Sequence, residues 1–256
     1  MTISYITQGT TPTGTGSGTG TTSVSVTPPA NEMGDLLLMY VHTKPDTATI
    51  NTPEGWQAVS NGSASGGGGT TGLDAGPTKA AWFWRTGDGR TTAVTVSITS
   101  GNSSMAQILV LRSSIPDASW SVAGANGVDS TTGTPFTAVM GSDPGITSGD
   151  MVVVFGGIPT DVSTPAQFSA ETLTATGLTS GSVTEIAEPE TTQGNDIGGV
   201  LCRWSPSAGP ASSAATFSAT AGGTTTNVRG PIILVRAREV AAALVIPTAH
   251  RQLVAA

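Results

Sequence analysis

Apolar residues in this chain fall in short runs of two kinds. In the first, Val24 and Val26 alternate with Ser23, Ser25 and Thr27, and Val94, Val96 and Ile98 alternate with Thr95 and Ser97. A period of two sends one side chain inward and the next to water, which predicts half-buried strands. In the second, the apolar residues are consecutive: Leu36 to Val41, Ile108 to Leu111, Met151 to Phe155 and Ile232 to Val235. A strand apolar on both faces must be covered on both, so these runs predict central strands or strands feeding a sandwich core. Turn residues such as Pro28-Pro29, Pro53-Glu54-Gly55 and Asp143-Pro144 separate the runs, and the whole pattern reads as all-β.

The pattern occurs twice. Gly34-Asp35 followed by Leu36 to Val41 and then Lys44-Pro45-Asp46 returns as Gly149-Asp150 followed by Met151 to Phe155 and then Pro159-Thr160-Asp161, aligned from Pro29 to Asp46 without a gap at an offset of 115. The aromatic run Ala80-Ala81-Trp82-Phe83-Trp84-Arg85 is echoed by Val200-Leu201-Cys202-Arg203-Trp204. The turn Pro53-Glu54-Gly55-Trp56 has its weaker echo at Phe168, and the Thr/Ser strand at 93–99 its counterpart at 214–220. Each copy closes on an aliphatic strand and an arginine, Ile108 to Arg112 and Ile232 to Arg236. A repeat of this length predicts two β units of roughly 110 to 120 residues, each large enough to bury a core.

Between these strands, residues 8–20 are almost wholly Gly, Thr, Pro and Ser, with too little apolar surface to offset ordering, and predict an extended arm. Residues 62–76, with four consecutive glycines, and the polar stretch 174–199 predict long loops. Pro116-Asp117 and the following Ala/Ser/Gly segment read as the connection between units. Beyond Arg238, Val240 to Ile246 is an apolar tail ended by Pro247, and Leu253-Val254 follow. That much exposed apolar surface predicts docking on this subunit or a neighbour, with Val240, Leu244, Val245, Ile246 and Leu253 as assembly contacts.

Charge and composition narrow the functions. Charged residues are 11 % of the chain and the formal charge is −7, with Lys and Arg scattered, which argues against binding a phosphate backbone. No apolar run approaches the ~20 residues of a membrane-spanning helix. The N-terminus has neither a basic nor an apolar signal region, so synthesis in the cytoplasm without a secretory signal is expected. A single cysteine, Cys202, precludes an internal disulfide framework and sits where a buried thiol acts as a small hydrophobe.

Catalytic chemistry has few carriers here. With His42 at a strand exit, His250 in the tail and one cysteine, no zinc site and no other cofactor is expected. The acidic residues near turns lack calcium-loop spacing. No Gly-x-Ser-x-Gly elbow occurs, and the glycine runs lack the lysine of a phosphate-binding loop. The aromatic run is the one ambiguous signal. Alternation sends Trp82 and Trp84 to one face and Phe83 to the other, so that one side of the strand is core, and Trp82 and Trp84 are the candidate ligand-binding residues for a glycan if their face meets solvent.

The order Gly-Asp-Leu-Leu-Leu, Thr-Pro-x-Gly-Trp, Trp-Phe-Trp-Arg, Val-Thr-Val-Ser and an aliphatic strand ending at Arg112 resembles a family of tandem β-sandwich proteins of tailed-bacteriophage virions, often called minor tail proteins in actinobacterial phages. The resemblance spans about residues 22 to 238. It departs from the pattern at Phe168, which stands for the tryptophan, and in the tail. It implies a virion structural component without catalytic residues, on the tail or the head shell, whose partners are other virion proteins and copies of itself.

The expectation is therefore an all-β chain of two tandem antiparallel sandwiches of jelly-roll type, residues 1–115 and 116–238, with a docking tail at 239–256. The expected function is non-enzymatic: a minor tail protein or capsid decoration protein acting by assembly and display, in the virion. The alternative is an adhesin module recognising a host cell-surface glycan. Neither reading involves nucleic acid or membrane insertion.

Overall fold

The runs that are apolar on both faces are explained by four stacked sheets. The computed structural model describes residues 2–10, 13–15, 21–67, 76–115, 119–131, 133, 135–160, 168–179, 183–191, 196–211, 213–221 and 229–240. The first half of the chain supplies β1 (Ile3–Gln8), β2 (Thr13–Thr15), β3 (Thr21–Val26), β4 (Met33–Lys44), β5 (Thr49–Ile50), β6 (Gln57–Gly66), β7 (Thr78–Asp88), β8 (Val94–Thr99) and β9 (Ser103–Ser113). The second half supplies β10 (Ser119–Val128), β11 (Pro135–Val139), β12 (Met151–Ile158), β13 (Phe168–Thr174), β14 (Thr184–Ala187), β15 (Glu190–Thr191), β16 (Ile197–Trp204), β17 (Thr216–Ala221) and β18 (Pro231–Val240).

All the ladders are antiparallel. One six-stranded sheet has the order β1-β9-β4-β7-β6, with β2 also on β9, and a three-stranded sheet has the order β3-β8-β5. The second half forms a six-stranded sheet β10-β18-β12-β16-β14, with β15 also on β16, and a three-stranded sheet β11-β17-β13. In each half the strand after the Gly-Asp turn, β4 or β12, is central and lies against the last strand, β9 or β18. Every named ladder stays within one half.

Three cores separate the four layers. Leu37, Met39 and Val41 of β4 join Val24, Val96 and Ile108 between the first large sheet and its small one. Val152 and Val154 of β12 join Phe136, Phe217 and Leu234 in the matching place of the second half. The opposite faces of the same strands, Leu36, Leu38 and Tyr40 with Met151, Val153 and Phe155, meet in a third core between the two large sheets, together with Trp82, Leu109, Leu201, Ile233 and Val235. Each half is thus an antiparallel sandwich of six strands on three, and the two sandwiches pack through their large sheets into one stack of three, six, six and three strands. The alternating strands take the outside, where Ser23, Ser25, Thr95, Ser97 and Thr99 face water.

Both edges of the two large sheets are stitched together. β6 bulges between Ala58 and Ser63, with Asn61 at φ 55°, and its backbone lies against Gly124 of β10. A Cβ on Gly124 would sit 2.9 Å from the Ser60 carbonyl oxygen, so this close approach requires glycine. The Asn126 side-chain amide donates to the Asn61 carbonyl at 3.0 Å. At the other edge the Gln8 amide donates to the Ile186 carbonyl at 3.2 Å, and the Arg203 guanidinium lies 4.8 Å over the Tyr5 ring.

Several loop expectations are corrected by hydrogen bonding between distant segments. Thr13–Thr15, read as arm, pairs with Ser103 to Met105. The expected loop 62–76 begins inside β6, which runs to Gly66, and 68–75 lies outside the described residues. The expected loop 174–199 holds β14, β15 and the start of β16. The segment read as the connection between units is β10, ten residues long and paired along its whole length with β18. A Gly/Ala/Ser sequence makes a poor strand on its own, but here its small side chains admit the neighbouring sheet.

Candidate functional site

The two Gly-Asp turns have the same chemistry. Gly34 (φ 91°) and Gly149 (φ 87°) occupy the left-handed region, and the following amide N–H of Asp35 or Asp150 bonds back to the carbonyl of Glu32 or Thr147. The Asp carboxylate then accepts the Glu32 or Thr147 N–H at 2.7 Å, closing the turn from both sides. Register places an arginine beside each carboxylate. Arg112 donates to Asp35 at 2.8 and 2.9 Å and also meets Glu32 at 2.7 Å. Arg238 donates to Asp150 twice at 2.8 Å, to the Gly145 carbonyl at 2.6 Å and to the Thr147 hydroxyl at 2.9 Å.

The counterpart of Arg112 is therefore Arg238, not Arg236. Two residues along a strand keep the same face, so the sequence alignment could slip by two without disturbing the apolar alternation. Arg236 instead bonds to Ser121 at 3.3 to 3.4 Å, and burial followed by the charge of Arg238 lowers its pKa. Burial alone would raise the Asp35 pKa, but the Arg112 hydrogen bonds, the Glu32 N–H and the Arg112 charge hold it below the usual carboxylate range.

The same end of the stack carries cross-links between the halves. The Trp120 indole N–H donates to the Gly34 carbonyl at 2.8 Å, and the Glu239 carboxylate accepts the Ser114 N–H at 2.9 Å. At the opposite end β4 enters the central core with polar residues. Lys44 is wholly buried and its Nζ donates to the Pro159 carbonyl at 3.1 Å. His42, read from sequence as a polar strand exit, is also wholly buried, edge-on to Phe155 at 5.4 Å, and neither ring nitrogen has a hydrogen-bond partner. Burial first and then the Lys44 charge push its pKa down to about 3, so the ring is neutral.

A surface depression of about 620 Å³ opens beside the turn at Pro53 to Trp56 and the segment between β7 and β8. Trp56 forms part of its floor, with the Arg85 guanidinium 5.3 Å above the indole ring. Arg85 meets Asp88 at 3.5 Å, and Arg90 reaches the same carboxylate at 4.0 Å. Glu54, Thr92 and Thr95 complete the polar lining. No sequence motif marks this site; its residues come from two segments some thirty positions apart, joined by the pairing of β6 with β7.

The residues singled out in sequence divide differently. Trp82 is 1 % exposed and packs in the central core, edge-on to Tyr40 at 5.6 Å, so its ring has no free face for a sugar. Trp84 is half-buried against the same core, and Phe83 fills the core of the first half. Both faces of β7 are core where one was expected. Val240 ends β18 and is 42 % exposed, whereas Leu244, Val245, Ile246 and Leu253 lie outside the described residues. Cys202 is buried in the core of the second half, and its thiol is pushed upward by burial and then by the carboxylates of Glu171, Glu185 and Glu188. Among the described residues no group of three or more His, Cys, Asp and Glu side chains is placed to hold a metal ion.

No protein-family model, curated protein or solved structure matches the chain.

Proposed function

We propose that this chain is a non-enzymatic structural component of a tailed-bacteriophage virion, a minor tail protein or a capsid decoration protein, whose two halves descend from one duplicated β unit. The order of strands in the two large sheets supports the duplication, as do contacts between residues 115 apart across the central core. The observation that carries the assembly role is the end from which the C-terminal segment leaves. Val240 is 42 % exposed there, and Met33, beside the Gly34 carbonyl that Trp120 holds, is 86 % exposed. The next residues, Ala241 to Ile246, are all apolar. An apolar segment that begins at an end exposing Met33 and Val240 suits attachment to a neighbouring subunit, and repetition around a particle multiplies a weak contact into a firm one.

Gold-labelled antibody against the purified protein should decorate intact particles, and the chain should appear in their mass spectra. Absence from purified particles would overturn the virion reading. Truncation after Val240 tests the tail: the shortened chain should fold, because Glu239 and the ladder of β18 are retained, but should not be incorporated. Normal incorporation would overturn the anchoring role alone.

A further inference from the structure

We infer that the depression beside Trp56 is a binding site for a neutral saccharide. Its lining suits hydroxyl groups, each of which donates one hydrogen bond and accepts others. Arg85 and Arg90 supply donors, Asp88 and Glu54 supply acceptors, and Thr92 supplies both. The charges balance, two cations against two carboxylates, so the lining selects neither a polyanion nor a polycation. Its volume of about 620 Å³ falls within the range of small-molecule sites.

The arginine is held ready to donate. The Arg85 guanidinium carbon lies over the Trp56 indole, 5.3 Å from the ring centroid, and Trp56 is itself 6 % exposed, so the ring helps to hold the guanidinium in place. Its contact with Asp88 is 3.5 Å long and uses one terminal nitrogen, whereas Nε is buried without a hydrogen-bond partner. The terminal N–H groups that Asp88 does not engage belong to a side chain that lines the depression, and they remain available to donate to a ligand hydroxyl. By contrast, Arg112 and Arg238 spend their Nε and terminal nitrogens in short bidentate pairs with Asp35 and Asp150. The arginine of the depression thus keeps the capacity that the structural arginines have used. Glu54 and Arg90 stand at the exposed rim, where they can close on a ligand without disturbing the core.

The inference is independent of where the protein is displayed. The test uses the full chain and a panel of defined oligosaccharides, neutral and anionic, with binding read by calorimetry and by two-dimensional NMR of the Trp and Arg side-chain N–H groups. At least one neutral oligosaccharide should bind in the millimolar range or tighter and shift the Arg85 Nε–H and Trp56 indole N–H signals. Arg90→Ala and Glu54→Gln, both at exposed positions, should together weaken binding about tenfold with the melting temperature unchanged. Three results would overturn the proposal: no neutral member binding at millimolar concentration, binding confined to anionic members, or binding that both rim substitutions leave intact. Arg85→Lys provides a further check, because it keeps the charge but removes the forked guanidinium donors, and should weaken binding; unchanged affinity would overturn the role given to Arg85.

Discussion

Tyr40 stacks on Phe155 at the centre of the molecule, with ring centroids 4.2 Å apart and planes 13° from parallel. The two residues are 115 positions apart, the offset that also aligns Gly34 with Gly149, and Lys44 donates to Pro159 across the same interval. The central strands of the halves therefore run in the same direction across the core and meet at corresponding positions. This is the relationship expected of a symmetric two-subunit interface, here contained in one chain.

Because the central core takes residues from both halves, we expect the chain to melt as one cooperative unit. Phe155→Ala should cost about 3–5 kcal/mol and lower a single calorimetric transition by roughly 10 °C. Separation of the trace into two transitions in the parent protein would show that the halves fold independently.

The two arginines at the end of β18 should differ sharply. Arg238→Met leaves Asp150, only 2 % exposed, without its bidentate partner and should lower stability in urea by about 2–3 kcal/mol. Arg236→Met removes longer bonds to Ser121 and a buried Nε without a partner, and should change stability by less than about 1 kcal/mol. Equal losses for the two variants would refute the pairing of Arg238, rather than Arg236, with the Gly-Asp turn.

His42 should make stability depend on pH above the carboxylate range. Its folded pKa of about 3 lies below the ordinary 6.5, so the unfolded chain binds the additional proton. The contribution is complete above pH 6.5 and is lost as pH falls toward 3, at up to about 1.4 kcal/mol per pH unit. Urea unfolding between pH 6.5 and 5 should show this slope, and His42→Leu should abolish it while retaining or raising stability at neutral pH, because two unpartnered nitrogens leave the core. A slope unchanged in His42→Leu would place the titrating group elsewhere.

Cys202 offers a chemical probe of the second half. Its thiol is wholly buried and held protonated by burial and by the surrounding carboxylates, so a thiol-specific reagent should label it only at the rate of unfolding. Rapid labelling of the native protein would show that β16 opens locally.

The strands that carry the fold were legible where a local rule applied. Leu36 to Val41 and Met151 to Phe155 had to be covered on both faces, and they are, by a different core on each side. Val24 and Val26 had to face the core while Ser23, Ser25 and Thr27 face water, and they do. β10 and β2 were not legible, because Gly, Ala and Ser have little strand preference of their own and Thr13–Thr15 holds no apolar residue to mark a core face, so both pair here only because β18 and β9 lie alongside. The depression beside Trp56 was hidden for a related reason: Glu54, Arg85 and Arg90 form no motif along the chain.

The amino-acid sequence by itself determined the all-β class, the positions of the central strands and the two Gly-Asp turns, since each depends on side-chain periodicity or on a backbone angle that glycine supplies locally. Only the tertiary structure decided that the two large sheets pack face to face, which buries Trp82 and His42, that β12 and β18 pair in the register that sets Arg238 beside Asp150, and that the Trp56 depression stays open. Those outcomes depend on which surfaces meet, and a two-residue period along one strand carries no information about the sheet that will lie across it.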